Sequence, residues 1–439
     1  MKKVLLGTMA VLTLAACSKD EVIQQNPNDE ITFTATAGKA ISRAQDGYCN
    51  KSLPENFKVW ARHQADGAST YTSYFAGEQY NKPTSGTTYT QADATKRYWP
   101  QSGKLDFFAL VNYQGTPTWT ATSADAALVV SNYKVESATD PAKPETTPGL
   151  QKDFMYAVTP AQATKTATTL NFRHALSQIE FQAKNENSKI YVKVSGVKVM
   201  NVKDQGTFTL PVATTLTDKY EGTVSGDKHT ALPGNTTINN QGKWSPKSGT
   251  AQYTITTLKD DATAINDANK KEKNVPGNGT VVSLTVTDPT GKEYNPNTLY
   301  VLPQSFGDGK DTQLWNGTDA LMDGSTYKTT TGAYLILTCQ IFNVANPNSS
   351  APNGGYVSSD IAVWGGGGAK DIAVKLPNNE WEQGKRYVYT FTFTESGNGG
   401  TDPGTGKPVL TPITLSVTVD DFVDGGSKDV DMEKPTPAP

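Results

Sequence analysis

The chain has 439 residues, and its 40 Lys and Arg nearly balance its 43 Asp and Glu, giving a formal net charge of −3. This balance lacks the electrostatic signature of nucleic-acid binding. The chain contains 59 Thr, 19 Tyr, 38 Gly and 25 Pro, which favour strands and turns and argue against a helical bundle or a large α/β enzyme. Three His and three Cys leave little material for a metal centre or a disulfide-built scaffold.

The N-terminal residues have the pattern of an export signal. Two lysines precede an apolar stretch, residues 4–14, that is too short to cross a bilayer as a stable helix. The residues LAAC ending at Cys17 resemble the bacterial lipoprotein box, so we expect a signal peptide of residues 1–16 and acylation of Cys17. Several acyl chains anchor a protein durably, whereas one does not. An ordinary cleaved signal with an incidental cysteine remains the alternative.

The first strand pattern follows a polar tether and spans residues 30–37. Apolar side chains alternate with threonines here, which is typical of a strand with one buried face. The apolar positions are Ile31, Phe33, Ala35 and Ala37. A polar stretch with basic cleavage sites at Lys39 and Arg43 comes next.

Short apolar runs and turn residues then alternate along the chain, which predicts an all-β fold. The main predicted strands are residues 56–62, 105–111, 153–158, 170–184, 190–202, 281–286, 299–302, 334–342, 361–363, 387–393 and 413–419. The Thr- and Pro-rich segment 139–148 and the Gly-rich segment 396–407 are predicted as solvated loops, the second as a long hairpin tip.

The strand spacing predicts two β-sandwich domains in tandem. We place the boundary in the polar, unpatterned stretch 159–166. The expected domains are therefore residues 44–165 and 166–439, preceded by a tether and first strand at 17–43.

Chemistry-bearing clusters are scarce, and the sequence predicts neither an enzyme nor a cofactor site. The three His lack a nucleophile-elbow context, and His174 is expected to make a structural hydrogen bond. The carboxylate pairs 260–261 and 420–421 are adjacent in sequence, so strand geometry points their members to opposite faces. Cys339 is expected to be buried as a small hydrophobe, and a bridge from it to Cys49 stays open. Two tryptophans beside strand runs, Trp60 and Trp99, are expected in the core.

Eight segments in chain order, behind the lipoprotein box, resemble the Bacteroidales fimbrillin family of pilus subunits. They are residues 57–61 (FKVWA), 98–109 (YWP…LDFFA), 153–157 (DFMYA), 170–179 (LNFRHALSQI), 206–208 (GTF), 299–304 (LYVLPQ), 381–389 (WEQGKRYVY) and 417–425 (VTVDDFVDG). Phe422 departs from the expected Trp but keeps an aromatic side chain.

The resemblance implies two transthyretin-like sandwich domains and lipoprotein transport to the outer membrane. It further implies that an Arg-directed surface protease cuts after Arg43, leaving Ala44 as the new N-terminus and removing the strand of Ile31 to Ala37. The resulting apolar groove would accept a strand from a neighbouring subunit.

The C-terminal segment, roughly residues 413–432, is the expected donor in this scheme. Its apolar side chains are Ile413, Leu415, Val417, Val419, Phe422, Val423, Val430 and Met432. The alternative is that residues 413–419 form a terminal core strand of their own domain.

The resemblance favours a stalk subunit of a surface fimbria that supports adhesion, with other fimbrial subunits, the protease and the outer membrane as partners. The surface ligand is left unassigned, and nucleic acid is not expected. An uncut anchor, a tip subunit and a monomeric glycan-binding lipoprotein remain alternatives, and an extracellular hydrolase is disfavoured.

Overall fold

The computed structural model describes residues 29–37, 54–93, 96–122, 128–135, 139–140, 143–148, 151–163, 165–211, 224–225, 228–229, 242–247, 249, 251–256, 272–284, 299–328, 332–344, 360–396, 399–409 and 413–421. The named elements in these ranges are all β-strands, which confirms the expected all-β class. None of the described elements is a helix with the length and apolarity that a membrane span requires.

The strands are numbered in chain order. They are β1 (Phe33–Ala37), β2 (Asn56–Gln64), β3 (Thr72–Asn81), β4 (Thr88–Gln91), β5 (Lys104–Val111), β6 (Thr116–Trp119), β7 (Leu128–Lys134), β8 (Thr139–Asp140), β9 (Lys143–Pro148), β10 (Met155–Gln162), β11 (Thr168–His174), β12 (Ser177–Asn185), β13 (Ile190–Val202), β14 (Gln205–Thr209), β15 (Val224–Ser225), β16 (Lys228–His229), β17 (Lys243–Pro246), β18 (Ala251–Thr256), β19 (Lys273–Val275), β20 (Val281–Ser283), β21 (Leu299–Val301), β22 (Gln304–Ser305), β23 (Met322–Asp323), β24 (Thr326–Tyr327), β25 (Tyr334–Asn343), β26 (Ala362–Trp364), β27 (Lys370–Val374), β28 (Glu380–Trp381), β29 (Lys385–Phe393) and β30 (Ile413–Asp421).

The N-terminal strands form a closed barrel in the order β1-β11-β10-β5-β2-β3-β4. Its interior is an apolar cluster to which alternating residues of β2 and β5 contribute, including Val59 and Phe107. The predicted core residue Trp99, which precedes β5, belongs to the same cluster. The outward residues of the same two strands, such as Trp60 and Phe108, belong to a second cluster. Strand β5 is therefore buried on both faces, which explains the unbroken apolar run from Phe107 to Val111.

Outside the barrel, β17-β14-β7-β6 form a four-stranded sheet, and its Val130, Tyr133 and Phe208 share the second cluster with Trp60 and Phe108. The C-terminal strands form two larger sheets, β20-β12-β29-β30 with β21, and β18-β13-β25-β26 with β19 and β27. Inward residues of β12, β29, β13 and β25 join the same cluster, as expected for a sandwich.

Two sequence predictions differ from the structure where the chain leaves the barrel. Residues 170–184 form two strands in different sheets, β11 and β12, rather than one. The break falls at Ala175 and Leu176, which are both fully buried. The buried positions change there from even-numbered residues in β11 to odd-numbered residues in β12, so the chain stays apolar while its alternation changes phase. The polar stretch 159–166 lies partly in β10 and leads into β11, so the barrel runs past the predicted boundary to His174.

A third difference concerns residues 139–148, which were expected to form a loop. They include β8 and β9, which pair with each other as an isolated hairpin. The expected hairpin around residues 396–407 is confirmed, because β29 and β30 pair antiparallel at either end of it. Its connection is not fully solvated as expected, because Thr401 is buried and exchanges two backbone hydrogen bonds with Ala373 of β27. Cys339 is a buried free thiol, as predicted, and Cys49 lies outside the described residues.

Candidate strand-exchange interface

Strand β1 is the piece that closes the barrel. It pairs parallel with β11 over five residue positions, from Phe33 opposite Thr168 to Ala37 opposite Phe172. On its other side it pairs antiparallel with β4 over two positions. Because β1 is the only link between β11 and β4 in the barrel order, its loss leaves an open sheet with two unpaired edges.

The inward side chains of this segment fill the barrel interior. Ile31 and Phe33 are fully buried and Ala35 is nearly so. The Phe33 ring makes edge-to-face contacts with Tyr80 and Phe107 at centroid distances of 4.7 and 5.0 Å, and a third with Phe57 at 6.1 Å. Such contacts add to the burial of an aromatic ring, so removing the strand would expose a groove lined by aromatic side chains.

The phenols of Tyr80 and Tyr89, which line the barrel interior, stay protonated at ordinary pH. Burial, together with the Glu78 carboxylate, raises the pKa of Tyr80. Burial, together with Glu55, raises the pKa of Tyr89 to about 12. The Tyr89 hydroxyl donates to the Pro54 carbonyl at 2.6 Å, whereas the Tyr80 hydroxyl has no hydrogen-bond partner among the described residues.

The start of the segment is fastened by backbone bonds. The N–H of Ile31 donates to the carbonyl of Arg97, and the N–H of Trp99 donates to the carbonyl of Asp29, both at 2.8 Å. Further along, the N–H of Thr168 donates to the Thr32 carbonyl at 3.0 Å.

Two ion pairs lie at the same end of the segment. Lys96 Nζ contacts Glu30 Oε1, and Lys165 Nζ contacts Asp29 Oδ2, each at 2.7 Å. Sequence reasoning did not identify these lysines; the acidic pair Asp29-Glu30 ahead of the alternating run was the available signal.

The outward residue Thr34 of β1 contacts a threonine on the neighbouring strand. The hydroxyls of Thr34 and Thr169 lie 3.0 Å apart across the β1–β11 pair. Hydroxyl pairs of this kind stabilise neighbouring strands modestly.

The predicted donor lies at the end of a different sheet. Strand β30 pairs antiparallel with β29 at nine positions and is the last strand in its sheet among those described. Ile413 is buried in the sandwich core, and Leu415 and Val417 pack against it. Val419 is 47% exposed, whereas Leu415 and Val417 are half-buried.

The structure therefore does not bring the two sets of predicted residues together within one chain. Ile31, Phe33 and Ala35 lie in the barrel core, whereas Ile413 lies in the sandwich core. The remaining predicted site residues are outside the described residues; they are Cys17, Arg43, Ala44, Phe422, Val423, Val430 and Met432.

The buried polar groups make structural contacts. His174 Nδ1 and Asp153 Oδ2 lie 2.6 Å apart where β10 meets β11, which confirms the predicted structural hydrogen bond of His174. On the outer barrel face, Arg62 Nε donates to Asp106 Oδ2 at 2.8 Å, and the N–H of Ala161 donates to the other carboxylate oxygen at 2.7 Å. Within the described part of the chain, no three His, Cys, Asp or Glu side chains are grouped to hold a metal ion.

Comparison with known proteins identifies the family. A model described as fimbrillin-like matches residues 42–301, more than half of the chain. The chain belongs to the fimbrillin-like family. This confirms the resemblance inferred from the sequence motifs, and it supports a fimbrial or adhesion subunit at the cell surface that associates with other fimbrial subunits.

Several solved structures are similar to this fimbrillin-like chain. A protein assigned to cell adhesion from Bacteroides uniformis is 12% identical with a TM-score of 0.40, and the match covers 91% of this chain and 100% of that one. One from Bacteroides ovatus is 13% identical with a TM-score of 0.39, covering 90% and 98%. A fimbrilin from Porphyromonas gingivalis is 10% identical with a TM-score of 0.36, covering 91% and 99%. Among curated proteins, none matches the sequence.

Proposed function

We propose that this fimbrillin-like chain is a stalk subunit of a surface fimbria that supports adhesion and assembles by strand exchange. The chain reaches the outer membrane as a lipoprotein acylated at Cys17. An Arg-directed protease cuts after Arg43 and releases the segment that contains β1. The C-terminal segment beginning with β30 then fills the vacated groove of the next subunit. The role is structural and needs no cofactor.

The observation that carries the proposal is the position of β1 in the barrel. A strand near the N-terminus, ahead of a basic cleavage site, is the link between β11 and β4. Its inward residues supply part of the barrel core. Cutting the chain after Arg43 therefore turns a closed barrel into an open sheet whose aromatic groove needs a new strand.

The position of β30 supports its role as donor. It is a terminal strand with one edge unpaired among the described strands, so it can leave its sheet without breaking a second ladder. Its alternating Ile413, Leu415 and Val417 match the apolar/Thr alternation of the segment it would replace. The exposed Val419 would gain burial in the groove of a neighbouring subunit.

The test is the N-terminus of the protein taken from the native cell surface, together with gels run with and without boiling. We expect an N-terminus at Ala44 and high-mass ladders that disappear on boiling. The variant Arg43→Ala should stay uncut and monomeric, whereas the matched variant Lys39→Ala should be cut and should polymerise.

An acylated Cys17 N-terminus with monomer alone would contradict the stalk role and favour an uncut anchor or a monomeric surface lipoprotein. Ladder formation by the uncut Arg43→Ala protein would contradict strand exchange at this groove.

A further inference from the structure

We propose that the donor strand enters the groove of a second copy of this chain antiparallel to the β1 it replaces, with its two terminal aspartates bound by Lys96 and Lys165. In this register Asp421 takes the place of Asp29, and Ile413 takes the place of Ala37. The inference rests on the proposed strand exchange and specifies the direction and register of the donor.

The two nine-residue segments are chemically alike when one of them is read backwards. Residues 29–37 read DEITFTATA, and residues 421 to 413, read in reverse, give DDVTVSLTI. Each position then pairs acid with acid, Thr with Thr or Ser, and apolar with apolar side chains. Val419 takes the fully buried place of Ile31, and Ser416 takes the place of Thr34, whose hydroxyl contacts Thr169.

The lysines at one end of the groove decide between the two directions. Lys96 and Lys165 each pair with an acid of the β1 segment at 2.7 Å, and those acids leave with the segment. The side chains of Glu30 and Asp29 are 22% and 26% exposed and those of Lys96 and Lys165 are 36% and 47% exposed, so the two ion pairs lie at the rim of the groove. Two cations left without partners in such a place favour an incoming acidic pair.

The opposite direction does not meet this requirement. A donor parallel to β1 that keeps the same inward face places Thr411 and Pro412 at the lysines. It carries Asp420 and Asp421 beyond Ala37, to the places of Gly38 and Lys39. The parallel direction does place the large side chain of Leu415 in the pocket of Phe33. Side-chain size therefore favours the parallel direction and charge favours the antiparallel one, and we give charge the greater weight.

The backbone ladders also favour the antiparallel direction. The longer ladder of β1 is its five-position parallel pair with β11, and the shorter one is its two-position antiparallel pair with β4. A reversed donor makes the longer ladder antiparallel, and antiparallel pairing is slightly more stable per residue. The exchange therefore improves the longer ladder at the expense of the shorter one.

Cysteine cross-linking distinguishes the directions. The test positions are outward and exposed in both partners: Thr414 and Thr418 on β30, and Asn171 on β11. The antiparallel register places residue 414 opposite Asn171, whereas the parallel one places residue 418 there. Opposed residues of an antiparallel pair lie about 4.5–5.5 Å apart between Cα atoms, within disulfide reach of about 4.4–6.8 Å.

Ser416 lies opposite Thr169 in both directions, so Ser416→Cys with Thr169→Cys reports strand exchange itself. The cross-linking is carried out in cut protein that also carries Cys49→Ser. We expect two pairs to give ladders that resist boiling in the absence of reductant: this control pair, and Thr414→Cys with Asn171→Cys. Thr418→Cys with Asn171→Cys should give none.

Cross-linking by the 418–171 pair, or by the control pair alone, would overturn the antiparallel register and leave the proposed function standing. Ladders that form while all three pairs fail would overturn both. Absence of any ladder from the parent cut protein would also overturn both.

Charge reversal tests the lysines separately. Lys96→Glu with Lys165→Glu should slow ladder growth of the cut protein roughly tenfold, and Asp420→Lys with Asp421→Lys in the donor should restore it. The matched control is Lys134→Glu with Lys189→Glu, whose partners Asp204 and Glu395 lie outside the barrel, and it should grow at the parent rate. Slowing that the donor lysines fail to restore would contradict the assigned contact.

Discussion

Phe33 lies on the inward face of the strand that closes the barrel. It is fully buried, and three aromatic rings surround it. Phe33→Ala should destabilise the uncut protein by about 3–5 kcal/mol, because it removes a buried ring and leaves a cavity in the packed barrel interior. Chemical denaturation of the uncut protein measures this cost.

Two controls accompany that substitution. Thr34→Ala lies on the outward face and loses only the contact with the Thr169 hydroxyl, so about 0.5–1.5 kcal/mol is expected. Protein that has been cut after Arg43 no longer contains residue 33, so the substitution should leave its stability unchanged. A cost below about 1 kcal/mol in uncut protein would contradict the packing described for β1.

Asp371 is a half-buried carboxylate held by three hydrogen bonds. Burial acts to raise the pKa of its carboxyl, but hydrogen bonds from Lys198, Thr338 and Tyr327 outweigh this and lower the pKa below its ordinary value. The Lys198 Nζ and Thr338 Oγ1 atoms lie 2.6 and 2.5 Å from its oxygens. These contacts join the β13-β25-β27 face to the segment carrying β24.

Because the folded-state pKa is depressed, this stabilisation is present above the unfolded pKa of about 3.9 and is lost as pH falls through the folded value. Asp371→Asn should cost about 1.5–3 kcal/mol at pH 7 through lost charge-assisted hydrogen bonds. The difference from the parent should shrink as pH falls below about 4. Denaturation midpoints measured between pH 7 and pH 2.5 test this, and a difference that stays constant would contradict it.

At the scale of elements, the groove is a binding site for a single strand. A synthetic peptide of residues 29–37 added to cut protein should bind it, raise its melting temperature by several degrees at saturation and stop ladder growth. The reason is that a ligand present at 100 times its Kd adds about 2.7 kcal/mol to stability. The same peptide with Phe33→Asp should do neither, because it places a carboxylate in an aromatic pocket. Equal effects from both peptides would contradict the proposal that the groove binds this strand through its inward side chains.

Sequence reasoning predicted strands well and their partners poorly. The alternation of Ile31, Phe33 and Ala35 with threonines predicted β1, and the apolar run 105–111 predicted β5. The sequence alone did not identify β11 as the parallel neighbour of β1, since the two are more than a hundred residues apart and both simply alternate. Lys96 and Lys165 were missed for the same reason, because each contacts the segment from a distant loop.

Composition does not reveal where the chain passes from barrel to sandwich, for a different reason. A change of polarity usually marks a linker, and residues 159–166 show one, yet they lie at the turn between two neighbouring barrel strands. The actual crossing at Ala175 and Leu176 is apolar, because both residues are packed into the core shared by barrel and sandwich. A crossing made of buried residues leaves no compositional mark.

At the scale of the whole molecule, groove and donor belong to different sheets, so the contact they make is head-to-tail. A subunit that receives a donor still has its own donor available, and a head-to-tail contact that does not close into a ring generates a filament. Blocking one end of a subunit should therefore leave the other end active.

Two variants, each blocked at one end, should give a dimer and nothing larger. Arg43→Ala keeps β1 in place, so it donates but does not accept. Val419→Asp in cut protein accepts but does not donate, because residue 419 is 47% exposed in its own subunit yet takes the fully buried place of Ile31 in the next one. Each variant alone should be monomeric, and the mixture should run as one dimeric species in size-exclusion chromatography. The control Val419→Ile should form ladders like the parent.

Ladders from Val419→Asp alone would show that assembly does not use the end of β30. A mixture that stays monomeric while Val419→Ile polymerises would show that the uncut subunit cannot release its own donor.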